Sequence, residues 1–565
     1  MKTATVFVLL LAASGQQAPN VGRPAAAPGS AEGAKVEQRA QGDGPAPELV
    51  ASFDGLGVGF EGPHGTSTGR NPSDNSLAVG PDHIVQIVNS KFAIFSKKAA
   101  KFETTGRILY GAVNTNTLFA GFGGTCDARN NGDAVVRYDQ LANRWLFVMP
   151  IFRRAAERPD QPTVPKPGGP ALVSVPGVAG QPGPAAKLIT PPPAVAAPPA
   201  PAQAPPAGAA RGAGAPATPQ PTGPYSICYA ISTTDDPTGE YYRYEFLRPL
   251  FPDYPRPAVW SDGYYVPTST GDDVIEKHAC VVERAKMLKG EPASEQCLII
   301  GDVNFLNNAD LDGPRLPPAG SPNMMLATGG SQLKTDVDDD GVYVWNFTVN
   351  WDDPSKTTLS PVQKIPVAPY TYLCGGQLTS CVPQPGSERR LDAQGDKLIT
   401  RVVYRRVTQG RTSYESVVAV HSVDTEAAGG GVRWYEFRVN PDRSLRLHQQ
   451  GTYAPDGNYR WMGSPAIDKV GNIGIGYSFG GPTVFTGQRF AARRATDPRG
   501  QLTLREVTLV EGQAAQTNTL RWEDYSQTAV DPSDDCTIWY VGDYYKAGAT
   551  NYSTRIGGFK LPGCQ

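Results

Sequence analysis

Ser464-Pro-Ala-Ile-Asp468-Lys-Val-Gly471-Asn-Ile-Gly-Ile-Gly-Tyr477 reads as a short hydrophobic strand, a tight Asp/Gly turn and a second strand. The same shape recurs along the chain. It appears at Leu77-Ala-Val-Gly-Pro-Asp82-His-Ile-Val-Gln-Ile87, and at Ala134-Val-Val-Arg-Tyr-Asp139 running into Arg144-Trp-Leu-Phe147. Ala258-Val-Trp-Ser-Asp262-Gly-Tyr-Tyr-Val266 and Asp336-Val-Asp-Asp-Asp340-Gly-Val-Tyr-Val-Trp345 continue the series. Leu391-Asp-Ala-Gln-Gly395-Asp-Lys-Leu-Ile399 and Ala529-Val-Asp531-Pro-Ser-Asp-Asp-Cys-Thr-Ile-Trp-Tyr540 complete seven copies. Each copy reads as the two inner strands of one blade. The expected fold is therefore all-β: a seven-bladed β-propeller of about four-stranded blades with long surface loops.

Closure gives this pattern its physical sense. A lone four-stranded sheet leaves two edges and two faces exposed, whereas sheets packed radially bury the faces and shield the edges. Tryptophans 145, 260, 345, 434, 461 and 539 suit the packing between such sheets. Removing the non-repetitive stretches leaves about sixty residues per copy, more than the 40–50 of compact propeller repeats, and the surplus is expected in loops.

Met1-Lys2 followed by Ala4-Thr-Val-Phe-Val-Leu-Leu-Leu-Ala-Ala13 and small residues reads as a signal peptide over residues 1–15. Residues 16–47 are rich in Ala, Gly, Pro and Gln and are expected as a disordered leader. The propeller is expected over residues 48–565, interrupted within one blade by a disordered Pro/Ala/Gly-rich insert at 155–223. No other run is long and apolar enough to span a bilayer. Localisation is expected to be secreted or periplasmic, without membrane insertion.

Export gives the eight cysteines a meaning, because an oxidising compartment favours disulfides. Neighbour pairing predicts Cys126–Cys228, Cys280–Cys297, Cys374–Cys381 and Cys536–Cys564. A net charge of −2 with 19% charged residues gives no reason to expect a nucleic-acid partner. The chain is expected to act as a monomer on an extracellular polymer or protein.

Several phrases carry a resemblance. Gly132-Asp-Ala-Val-Val-Arg-Tyr-Asp-Gln-Leu-Ala-Asn-Arg-Trp145, Ile231-Ser-Thr-Thr-Asp-Asp-Pro-Thr-Gly-Glu-Tyr-Tyr-Arg-Tyr244 and Arg460-Trp-Met-Gly-Ser464 are among them. Arg521-Trp-Glu-Asp-Tyr-Ser526 and Asp534-Asp-Cys-Thr-Ile-Trp-Tyr540 are the others. Together they resemble an uncharacterised family of secreted bacterial seven-bladed β-propeller proteins, from about Asn71 to Cys564 apart from the insert. The resemblance implies architecture and export, and carries over no catalytic residue. The chain departs from it at Trp522-Glu523-Asp524, where a Gly is expected before the Asp.

Residues just ahead of the innermost strands line the mouth of a propeller's channel. Aligning the copies places Asp74, Asn75, Asn131, Asp133, Asp253, Tyr254, Arg256, Arg390, Asp392, Arg460, Trp461, Asp524 and Tyr525 there. Of these, Asp74, Asn131, Tyr254, Arg256, Arg460, Trp461 and Tyr525 are the candidate ligand-binding residues. Rings stack on sugar faces, while Arg and Asp bind hydroxyl or acidic groups, so a glycan is the expected ligand class. Asp133, Asp253 and Asp524 are the candidate catalytic carboxylates of the alternative reading, a polysaccharide hydrolase or lyase. Asp beside a strand also commonly serves only to accept backbone N–H bonds in a turn.

Asp336, Asp338 and Asp340 match the first half of a calcium loop, and calcium is the one cofactor considered. Phe347 stands where an EF-hand needs its bidentate Glu, so a standard EF-hand is excluded. Gly476-Tyr-Ser478-Phe-Gly480 fits a nucleophile elbow in letters only, since Gly481-Pro482 follows where a helix should start. No pair of the five histidines has metal-ligand spacing.

Overall fold

The computed structural model describes residues 33–152, 186–187, 225–270, 276–301, 303–329, 340–375 and 380–565. The expected signal peptide, the leader up to residue 32, nearly all of the insert, and Asp336 and Asp338 lie outside the described residues. The fold is all-β, and the chain runs as successive antiparallel meanders.

The first meander comprises Ser76–Val79, His83–Val88, Lys91–Ser96 and Ile108–Asn114. Val135–Asp139, Arg144–Ile151, Tyr225–Ser232 and Glu240–Arg248 form the next. The third starts at Ala258–Val259 and ends at Glu295–Ile300. Asn307–Leu311, Asn323–Gly329 and Gly341–Thr348 follow, edged by Thr358–Leu359 and Gln363–Pro366. Beyond them come Val402–Gln409, Thr412–Asp424, Gly430–Val439 and Leu445–Tyr453, then Tyr459–Ile467, Ile473–Gly481, Val484–Arg493 and Val507–Val510. The last meander takes Gln527–Val530, Thr537–Tyr544 and Ser553–Lys560 from the C-terminus, and its outer strand, Glu48–Gly57, from the N-terminus. First strands of successive meanders are neighbours, and Gln527–Val530 lies beside Ser76–Val79.

Apolar clusters fill the spaces between adjacent meanders. Trp145 and Phe147 pack with Phe92 and Ile94, and Trp434 and Tyr453 pack with Ile475 and Tyr477. The tryptophans at 145, 260, 434, 461 and 539 are core residues. Backbone approach is close where the chain supplies glycine: a Cβ on Gly476 would sit 2.3 Å from the Tyr540 ring. All four disulfides pair as the sequence predicts, which fits maturation in an oxidising compartment. Among the described residues no helix is long and apolar enough to cross a membrane.

Three expectations need correction. Gly33–Pro47, expected as the end of a disordered leader, runs along the outer edges of two meanders. Glu37 and Gln38 pair in parallel with Thr452 and Tyr453, and the Gln38 side chain bonds both backbone groups of Leu502, at 3.0 and 2.8 Å. The low apolar content that suggested disorder is offset here by this edge pairing, and glycine at 42 and 44 lets the strand touch Thr503.

The copy that contains Asp340–Trp345 does not supply two inner strands: Gly341–Thr348 is the third strand of its meander, whose first strand is Asn307–Leu311, a stretch with the composition of a loop. Its polar side chains disguise it, yet they are buried and paired: Asn307 donates to the carbonyls of Leu398 and Thr400 at 2.8 and 2.6 Å, and Asn308 to that of Tyr265 at 2.9 Å. Likewise Leu391–Ile399 is not an inner hairpin. It ends the small hairpin Ser380–Gln384/Ser387–Asp392, and the first strand begins at Val402.

Polar groups also fill the axis between the first strands. Arg401 Nε and Nη2 lie 2.7 and 2.8 Å from Asp310 and Asp312, and Arg137 Nε is 3.0 Å from Asp310. The remaining cavity, lined by Leu77, Arg137, Asp310, Arg401 and Thr528 among others, is about 20 Å³. That is room for about one water.

Candidate functional site

The turns that feed the first strands share an unusual backbone. Asp74, Asp133, Tyr254 and Asp524 have φ of 51°, 62°, 38° and 68°, and Glu523 one of 54°. This left-handed region is tolerated by Asp but is a genuine outlier for a bulky tyrosine. The Asp74 turn is fixed from outside: its N–H donates to the Glu523 carbonyl at 2.8 Å, and Asn89 Nδ2 donates to Asp74 Oδ2 at 2.6 Å.

These turns bring carboxyl groups from three different meanders together. The Asp133 carboxyl lies close to those of both Asp74 and Asp253. Burial is the main force holding their protons on. It pushes Asp74 up to about 7 and Asp133 and Asp253 well above the usual carboxylate range, and the neighbouring carboxyl charges add to the rise. Asp74 is buried, whereas Asp133, Asp253 and Tyr254 keep partial solvent contact. The trio therefore lies in a recess that opens on the Asp133 and Asp253 side.

An aromatic pair stands beside the trio. The rings of Tyr254 and Tyr525 stack with centroids 3.8 Å apart and planes within 10°. The Tyr254 hydroxyl donates to the Ile399 carbonyl at 2.9 Å. Tyr525 is buried, and its hydroxyl finds no hydrogen-bond partner among the described residues. Arg256 bonds the Tyr254 carbonyl at 2.6 Å and lies 4.1 Å from the Phe305 ring centre, and burial depresses it to about 10. Arg521 pairs with Asp524, Nε to Oδ1 at 3.0 Å, and its positive charge acts on all three carboxyls.

The small hairpin ending at Asp392 covers one side. Gln384 and Gln516 exchange side chain-to-backbone bonds at 2.9 and 2.7 Å, and the Asp392 N–H donates to the Leu520 carbonyl at 2.9 Å. The Cys374–Cys381 disulfide ties this hairpin to the segment before it.

The site thus gathers Asp74, Asp133, Asp253, Tyr254, Arg256 and Tyr525, with Asp524 at its border through Arg521. Three predicted residues are spent elsewhere. Asn131 accepts the Phe152 N–H at 3.1 Å and fixes a strand end. Arg460 is buried against Asp456 and Glu506, at 2.9 and 3.0 Å, as part of the packing around Phe479. Trp461 is fully buried, its ring centre 6.3 Å from that of Trp522. Asp340, from the calcium-loop match, accepts the Tyr370 N–H at 3.0 Å, and among the described residues no cluster of three His, Cys, Asp or Glu is arranged to hold a metal.

Ser478 sits mid-strand, donating to Glu523 Oε2 at 2.7 Å and accepting from Trp522 Nε1 at 2.9 Å. Its strand turns back into Val484–Arg493 instead of entering a helix, so the elbow geometry is missing. Arg521 and Phe305 were missed as site residues. Arg521 was signalled by its place in Arg521-Trp-Glu-Asp-Tyr-Ser526. Phe305 had no such signal, because the strand after it was hidden.

Chemically, the trio can hold and exchange protons and can receive donors from a ligand. Neighbouring carboxyls this close are too near to flank a glycosidic bond, which needs about 5–10 Å between them.

No protein-family model matches the chain, and no curated protein matches it. Solved structures similar to it include a protein of unknown function from Dyadobacter fermentans, at 9% identity, 92% of this chain, 100% of that one and a TM-score of 0.32. A variant of the NanB sialidase from Streptococcus pneumoniae is similar at 10% identity, over 72% of this chain and 66% of its own, with a TM-score of 0.34. The first two extracellular domains of Drosophila Semaphorin 1b match at 8% identity, 92% and 88% coverage, and a TM-score of 0.35. Likenesses at this level carry no argument for this chain.

Proposed function

We propose that this is an exported, seven-bladed β-propeller that recognises an extracellular glycan at one mouth of its axis. Successive meanders, first strands in ring order, and an N-terminal strand completing the C-terminal sheet support the architecture. The observation that carries the function is the recess itself. Three neighbouring carboxyls stand beside a stacked tyrosine pair, on left-handed backbone drawn from several turns. Strained backbone and strongly perturbed carboxyls concentrate where a ligand is handled. The axis below is filled by Arg137, Arg401 and Asp310, so the ligand rests on the mouth and does not thread through.

Retention on immobilised polysaccharides tests this reading. The mature chain should bind at least one polymer, and Asp253→Asn and Tyr525→Phe should each weaken retention several-fold without unfolding the protein. Unchanged binding in both variants would move the site elsewhere.

Hydrolysis or lyase cleavage of the same polymer is the second reading. One observation favours it: Asp133 and Asp253 are half-buried, and burial holds their carboxyls well above the usual carboxylate range, the direction a general acid needs. Asp524, held by Arg521, would then be the ionised partner. Oligosaccharides released by the native chain, and lost on Asp133→Asn or Asp524→Asn, would establish it.

A further inference from the structure

Resting on the glycan reading above, we infer that Phe152 and Phe251 form a sugar-stacking subsite on the rim of the recess, so that the ligand is an oligosaccharide. One of its rings lies on the phenylalanines, while hydroxyls of the next reach Asp133 and Asp253. The recess by itself has no open aromatic face. Tyr525 is 3% exposed, and the Tyr254 ring has Tyr525 stacked at 3.8 Å on one face and the Arg256 guanidinium 5.2 Å from its centre. The tyrosines therefore offer a ligand an edge and no free ring face.

Strand direction places the phenylalanines. In the second meander Val135–Asp139 runs away from the mouth, Arg144–Ile151 returns to it, Tyr225–Ser232 leaves again and Glu240–Arg248 returns. Phe152, Tyr225 and Phe251 thus stand at the mouth ends of the strands outward from Asp133. Two links tie them to the recess. Asn131, two residues before Asp133, accepts the Phe152 N–H at 3.1 Å on its side-chain oxygen. Phe251 precedes Asp253 by two residues, a backbone span of at most about 7 Å.

The rings form one cluster. Phe152 and Phe251 meet edge to face, with centroids 4.6 Å apart and planes at 77°, and Tyr225 backs Phe251 at 5.8 Å. Tyr225 is buried, whereas Phe152 and Phe251 are only half-buried. The fold does not require aromatic residues at these ends: the first meander carries Asn89 and Lys91 there, and the sixth Pro482 and Glu511. Apolar rings left partly in water beside a few placed polar groups are what a small-molecule site uses. A pyranose presents C–H groups on a face and hydroxyls around its edge. It gains by covering an aromatic ring while its hydroxyls bond to the neighbouring carboxyls. A purely ionic ligand has no use for Phe152 and Phe251.

Titration calorimetry on the mature chain, with cello-, chito-, xylo- and laminari-oligosaccharides from monosaccharide to tetrasaccharide, tests the subsite. In at least one series the tetrasaccharide should bind at least tenfold more tightly than its monosaccharide. Phe251→Leu keeps apolar volume but removes the ring, and should lose most of that gain. Phe251→Tyr keeps the ring and should retain it. Phe152→Leu carries the same expectation if thermal melts show that Phe251→Leu does not fold. An undiminished gain in the leucine variants, or no gain with length on the native chain, would overturn the subsite and leave the glycan reading intact. Failure of every series to bind would remove the glycan reading and this inference with it.

Discussion

Asp74→Asn should make this protein more stable at alkaline pH while weakening its recess. The Asp74 carboxyl is buried and rises from the ordinary 3.8 to about 7. The folded chain therefore holds a proton that the unfolded chain gives up, and this contribution is complete below about pH 4 and lost as pH climbs through about 7. A rise of that size is worth about 4 kcal/mol when fully expressed, and about 3 kcal/mol of it falls between pH 5 and 8. An amide fits the site: its oxygen accepts from Asn89 Nδ2, and its NH₂ donates to the neighbouring Asp133 carboxyl.

For a cooperative unit of roughly 440 residues, an unfolding entropy of about 2.1 cal/mol/K per residue converts 3 kcal/mol to about 3 °C. Thermal melts at half-unit steps from pH 5 to 8 should show the variant gaining about 3 °C on the native chain across that range. Asp133 and Asp253 titrate in the same direction and stay in place, so the native slope should shrink without vanishing. A constant offset between the two curves, or a steeper fall for the variant, would refute the account of a retained proton.

Other expectations are simpler to read. Arg401→Met leaves Asp312 buried without its partner and Asp310 with Arg137 alone, and should cost about 3–5 kcal/mol, or about 4 °C in Tm. Adding Asp312→Asn, which leaves the Arg137–Asp310 pair intact, should restore part of that loss in the same melt. Gly476→Ala drives a Cβ to 2.3 Å from the buried Tyr540 ring and should cost about 1–3 kcal/mol by denaturant unfolding. A chain starting at Glu48 loses only the edge contacts of Gly33–Pro47 and should stay folded with a slightly lower Tm. One starting at Phe60 also loses Glu48–Gly57, bares the edge of Ser553–Lys560, and should aggregate on gel filtration.

Where strands alternate or run apolar between Gly and Asp turns, as at Ser464–Tyr477 and Ala258–Val266, sequence reading located both inner strands of a meander. It failed where the innermost strand is polar. Asn307-Asn-Ala-Asp-Leu311 has the composition of a loop, and only carbonyls supplied by Leu398, Thr400 and Tyr265, with Arg401 beside Asp310, make it a buried strand. Those partners lie 43 to 93 residues away, so no local pattern records them. Asp74, Asp133, Asp253, Tyr254, Arg256 and Tyr525 could be grouped from the sequence because each lies a few residues ahead of a readable first strand. Arg460 and Trp461 were misassigned by the same logic. Their strand carries a bulge between Trp461 and Ser464, and the residues ahead of it face the core and the Glu506 pair instead of the recess.

The backbone of the mouth argues for a retained purpose at Asp74, Asp133, Tyr254 and Asp524. Each adopts a φ that glycine takes without steric penalty and that other residues take at a cost of about 1 kcal/mol or more. Turns elsewhere use glycine at some such positions, as at Gly471 and Gly410, and other residues at others, as at Ser90, Ala428 and Arg443. At the mouth the side chain is kept despite the strain, and at Asp74 and Asp133 it is also kept despite burial that opposes its charge. Stability alone would remove both costs with Gly or Asn. That the chain accepts the two together, at neighbouring turns from different meanders, fits a surface selected for what it holds.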